Sequence, residues 1–164
     1  MNNRYEQLED ELANLFYTVD GDGNKISAEG VFFDVNPLPD CEADIKVNLN
    51  PKVYVMYDSS DYPDTENLNA VVQEDRLKIG FELHARTRRG DRGIFAIQKI
   101  VYSKILGYKP FGCDKLQLIQ FTPLQGSGAN NWMYYAQFIT TSHIMESQPD
   151  PDEPLLTQIT FVNP

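Results

Sequence analysis

The 164-residue chain is poor in cysteine, in positive charge and in long apolar runs, and each shortage closes off a class of function. Cys41 and Cys113 are the only cysteines, too few for a disulfide framework. The opening residues Met1 to Gln7 contain no apolar signal core, so the expectation is a reduced, cytoplasmic protein. No apolar run approaches the roughly 20 residues that a membrane span needs, and no membrane partner is expected. The formal net charge of -10 argues against a general phosphate-binding surface, which needs a cationic footprint. Such a charge favours solubility and keeps copies apart until specific contacts form. Histidine is scarce too: His84 and His143 stand alone, neither with Cys, Asp or His at ligand spacing. No metal site and no cofactor are expected. What remains is 41% hydrophobic residues in a length that suits one domain with a core of its own.

The pattern along the chain is that of an α+β protein. Residues 3–17 read as an amphipathic helix. Leu8, Leu12, Leu15 and Phe16 lie on one side, early acids suit its positive end, and Asn2 or Asn3 can cap it. Residues 18–30 are turn-forming, and 31–35 read as a short strand or a loop. Lys52 to Tyr57 is a strong strand that ends in the loop signal Asp58-Ser59-Ser60.

The longest alternating stretch follows. Leu77, Ile79, Phe81, Leu83 and Ala85 fall on one face, and Arg76, Lys78, Glu82, His84, Arg86 and Arg88 on the other. A helix runs from about Asp91, a plausible N-cap, to Gly107, with Ile94, Ile97, Val101 and Ile105 as its apolar stripe. Phe95, Tyr102 and Leu106 widen that stripe. Residues 116–121 and 131–144 read as strands joined by the Gly-containing loop 125–130. The segment 146–154 is acidic and proline-rich and cannot pack as helix or central strand. Beyond it, Leu155, Leu156, Ile159, Phe161 and Val162 regain strand-like apolar character and mark a candidate docking arm.

No constellation for catalysis emerges. Asp20-Gly21-Asp22-Gly23-Asn24-Lys25 has oxygen ligands at alternate positions, as calcium requires. Its sixth position is Lys25 where a calcium loop needs Gly, and its twelfth is Val31 where it needs Glu, so a surface turn is the better reading. Gln125 to Asn130 lacks the Lys of a phosphate loop. Cys113 reads as structural, and Trp132, Tyr134, Tyr135 and Phe138 read as packing. The one unusual cluster is Arg86, Arg88, Arg89 and Arg92, four cations in seven residues of an acidic chain. A solvated strand end, contact with DNA phosphates and docking on an acidic protein surface all fit it. The last is preferred, because copies of this chain could themselves supply that surface.

The order of elements resembles the tail-terminator, or tail-completion, proteins of long-tailed bacteriophages, particularly Mu-like and other contractile-tailed phages. The pieces that carry the resemblance are the strand ending in Tyr57 with Asp58-Ser59-Ser60, and Val72-Gln73 leading into the long strand. The helix ending Leu106-Gly107-Tyr108-Lys109-Pro110, the strand around Trp132-Met133-Tyr134-Tyr135 and the initial helix agree with it. The resemblance covers residues 1–145, outside the stretch 18–50, and leaves the linker and arm at 146–164 unmatched. It implies one compact α+β domain with a mixed, mostly antiparallel sheet flanked by two helices, followed by the C-terminal arm. It also implies a structural virion protein with no catalytic residues. Such proteins form a homo-oligomeric ring, of six copies, at the tail–neck junction. The ring caps the tail tube, stops its growth, meets tube, sheath and neck proteins, and lets DNA pass without specific binding. Assembly takes place in the host cytoplasm. Another neck or head–tail connector protein, the cap of a phage-like contractile injection machine, and an enzyme or small-molecule binder stay open as alternatives.

Overall fold

The computed structural model describes residues 3–39, 50–63, 72–124 and 131–145. The chain runs α1 (Arg4–Asn14), β1 (Tyr17–Val19), β2 (Lys25–Ser27), β3 (Asp34–Pro37), β4 (Lys52–Asp61), β5 (Val72–Ala85), α2 (Ile94–Ile105), β6 (Gln117–Pro123) and β7 (Trp132–Met145). Five strands form one sheet in the order β3-β4-β5-β7-β6, and β1 and β2 make a separate hairpin. β3 runs parallel to β4, while all other pairs are antiparallel. The expected α+β architecture, with a mixed and mostly antiparallel sheet and two helices, is what the chain adopts.

α1 starts where the sequence can satisfy its orphan N–H groups. The Asn3 side chain accepts from the Tyr5 amide, and the Glu6 carboxylate accepts in turn from the Asn3 amide, completing a capping box. Leu8, Leu12 and Ala13 are buried, and Phe16 just beyond the helix is fully enclosed. Each large side chain so enclosed contributes roughly 1.5–3 kcal/mol. α2 buries Ile94, Ile97, Val101 and Ile105, the predicted stripe. Phe95 and Leu106, expected to widen it, stay 42% and 54% exposed because they lie beyond the arc that faces the sheet. Gly107 takes φ 79°, and its amide turns away to the Leu116 carbonyl, which stops the helix.

Both helices lie on one face of the sheet. Val53 and Val55 of β4, Leu77 to Leu83 at alternate positions of β5, and Tyr134, Ala136 and Phe138 of β7 share that face and join the helices in a single core. The opposite face is polar and aromatic. There the Tyr135 ring lies over Gly80 so closely that a Cβ would stand 2.4 Å from its ring carbon. Tyr135 and Gln137 both donate to the Asp58 carboxylate.

Three local expectations need correcting. Asp58-Ser59-Ser60 is not a loop: β4 continues to Asp61 through a bulge between Tyr57 and Ser59, which absorbs the polar run. The turn region 18–30 contains a hairpin whose short strands lack the alternation that would betray them. Finally, β5 ends at Ala85, so Arg86 and Arg88 leave the sheet and do not sit on its polar face.

Candidate interaction surface

The loop from Arg86 to Gly93 connects the central strand β5 to α2, and its backbone is tied down at several points. The amides of Ile94 and Phe95, at the start of α2, donate to the carbonyls of Thr87 and Arg88, at 3.0 and 3.3 Å. The amide of Gly93 donates to Gly90 at 3.2 Å. Gly93, not Asp91, caps the helix, and no side chain takes part. The reason is steric: a Cβ at residue 93 would stand 2.6 Å from the Arg89 carbonyl oxygen. Only glycine lets the loop fold so tightly against the helix start.

This fold presents the four arginines from one short segment. Arg86, Arg89 and Arg92 are exposed, and Arg88 is half-buried. The Arg88 guanidinium lies 5.4 Å from the centre of the Trp132 ring and 5.8 Å from that of Phe95. The Arg92 guanidinium lies 5.7 Å from the Phe32 ring, and its Nη2 donates to the Phe32 carbonyl at 3.5 Å. Among the described residues, none of the four makes an ion pair. The two described arginines outside the loop behave differently: Arg4 pairs with Asp75 and Arg76 with Glu74. Aromatic faces thus hold two guanidiniums in place without neutralising them. Arginine on aromatic rings beside an exposed Phe95 is the chemistry enriched at protein–protein contacts. The cluster was visible in sequence, but its aromatic supports were not, because Phe32 and Trp132 come from distant segments.

Asp20, by contrast, is used within its own turn. The Asp20 carboxylate accepts from the Asp22 amide at 3.0 Å, from the Asn24 amide at 2.8 Å and from Asn24 Nδ2 at 3.3 Å. The Asn24 backbone bond above all, helped by the Asn24 side chain and the Asp22 and Gly23 amides, holds its pKa below the ordinary carboxylate range, against the opposing effect of burial. The segment is the turn of the β1–β2 hairpin, as expected. Among the described residues, no group of three His, Cys, Asp or Glu is placed to hold a metal ion. His84 bonds Glu82 at 2.6 Å and packs edge-on against Tyr54 on the polar face.

The sequence pattern that defines the Gp37 protein family matches residues 32–163. The chain belongs to this phage-related family. No curated protein matches it. The Gp37 match starts after α1 and the β1–β2 hairpin, and it runs on through the acidic linker and the arm. That distribution differs from the resemblance drawn above, which took in α1 and stopped at 145. The arm residues Leu155, Leu156, Ile159, Phe161 and Val162 lie within the Gp37 match but outside the described residues.

Arg4, Glu11, Phe111, Cys113, Ser142 and His143 help line a space of about 320 Å³ between α1 and the end of β7. Burial, more than any neighbouring charge, pushes the Cys113 thiol up, with Arg4 opposing it. A thiol held protonated is the reverse of what a nucleophile needs. Arg4 here bridges the wholly buried Asp75, at 3.7 Å, and the Ser142 hydroxyl, fastening α1 to β5 and β7.

Proposed function

We propose that this protein is a structural component of the virion that assembles into a closed ring of six at the tail–neck junction. The ring caps the tail tube, ends its polymerisation and offers a surface to the neck, and no step of this work calls for catalysis. The arginine loop makes the contact between copies. It meets the acidic surface of the neighbouring copy, where the chain has 24 acidic against 14 basic residues. The observation that carries the reading is four arginines that make no ion pair among the described residues, on a loop fixed by backbone bonds and, at Arg88 and Arg92, by aromatic faces. Membership of a phage-related family supports it. A contact between unlike surfaces on identical copies must either close into a ring or run on as a filament, and a cap requires closure.

Electron microscopy of tails carrying a labelled copy of this protein tests the role. A six-fold disc at one end of the tail is expected. A single copy, or a stack along the tube, contradicts it.

A further inference from the structure

β6 is the last strand of the sheet, with β7 on one side and no described strand on the other. It is also unprotected. Natural sheets guard their edges with charge, proline or a covering element, since an open row of amides and carbonyls recruits other strands. Gln117 to Pro123 contains no charged residue, although the chain as a whole carries a net charge of -10. Leu118 and Ile119 are 36% and 45% exposed. Among the described residues, a bulge between Leu118 and Gln120 and the terminal Pro123 are the guards it has. The inner side is rigid: Phe121 stacks on Tyr134 at 5.0 Å and meets Tyr102 edge-on at 6.2 Å.

The chain also contains a segment suited to this edge. Leu155 to Val162 is uncharged and rich in strand-forming residues, and it follows the nine-residue linker Glu146 to Pro154. That linker reaches on the order of 30 Å when extended. No described strand covers the outer edge of β6, and the family pattern includes the segment. We propose that the outer edge of β6 receives residues 155–162 of a second copy as an added strand. This rests on the ring reading above and gives it a second tie, since each copy donates one strand and accepts one. Alternation places Leu155, Thr157, Ile159 and Phe161 on one face of the added strand, beside Leu118 and Phe121, which face the helices, and Leu156, Gln158, Thr160 and Val162 on the other. Gln158 and Thr160 fall beside Gln120 and Thr122. Main-chain bonds along β6 supply the affinity, and the apolar pairs set the register.

Disulfide trapping tests this on the full-length chain, with Cys41→Ser and Cys113→Ser as background and circular dichroism to show that each variant folds. One variant carries Ile119→Cys and another Gln158→Cys. Mixing the two and oxidising should give a covalent heterodimer. Adding Leu118→Lys to the acceptor should slow it about tenfold, because a charge would be buried at the junction. If the mixture gives no heterodimer while a third variant, carrying both Ile119→Cys and Gln158→Cys, closes within itself, the strand is not exchanged and the proposal falls. If neither cross-link forms although the mixture sediments as a ring, the edge is wrong and the ring reading stands. If neither forms and no ring is seen in solution or on tail ends, both readings fall.

Discussion

Arg4 and the arginines of the 86–92 loop carry the same charge in opposite settings. Arg4 is enlisted by the fold: it spans from α1 to the buried carboxylate of Asp75 and the hydroxyl of Ser142. The loop arginines are enlisted by nothing charged among the described residues, yet the loop is built to hold them still. Net charge alone cannot tell these cases apart. What separates them is whether a carboxylate lies within reach and whether the cation is buried with it. A cation paired inside the molecule acts on stability, and a cation fixed but unpaired acts on whatever arrives from outside.

Removing Arg4 should give the largest change in stability. Among the described residues neither carboxylate oxygen of Asp75 has a hydrogen-bond partner, so Arg4→Met takes away the one cation paired with this buried carboxylate there. Loss of about 2–3 kcal/mol is expected, below the range for a fully buried pair because the Arg4 side chain is 40% exposed. Urea unfolding measures it, and a loss under about 0.5 kcal/mol, the level of an ordinary surface change, would erase the contrast. Gly93→Ala comes next. The added Cβ meets backbone at 2.6 Å, and about 1–3 kcal/mol should be lost as the loop shifts. Assembly should weaken with it, which sharpens the comparison, since the arginines would be displaced without being altered.

Arg88→Leu should cost less, on the order of 0.5–1 kcal/mol, the worth of a partly exposed cation over aromatic rings. The smallest effect belongs to Asp20→Asn. The carboxylate's acidity is raised in the folded chain, that is, its pKa is lowered from the ordinary value, chiefly by the Asn24 amide. Its contribution is therefore complete above the unfolded-state pKa, near 4, and fades as the pH falls through the lower folded value. Parent and variant should differ slightly in melting temperature at pH 6 and converge under strong acid. Assembly should not change.

Much of the fold could be read from the sequence because its signals are local. The α2 stripe Ile94, Ile97, Val101 and Ile105 and the alternation of Leu77 to Ala85 are set by helical and strand periods, and the core uses those residues. The parts that could not be read depend on distant partners or on exclusion. β4 runs through Asp58-Ser59-Ser60 because Tyr135 and Gln137, far along the chain, hold the Asp58 carboxylate. The cap lies at Gly93, two residues past Asp91, and that position takes glycine because the Arg89 carbonyl leaves no room for a side chain. The arginine cluster showed as a run of like charges, but its clamping by Phe32, Phe95 and Trp132 is a product of tertiary structure alone.

The central claim is that the loop arginines join one copy to the next. Sedimentation of the Arg86→Glu, Arg88→Glu, Arg92→Glu triple variant beside the parent, across a salt series, tests it directly. The account predicts a triple variant that melts within a few degrees of the parent and sediments as a monomer where the parent forms a ring. The parent's ring should itself weaken as salt screens the contact. A triple variant that assembles as well as the parent at low salt would contradict it.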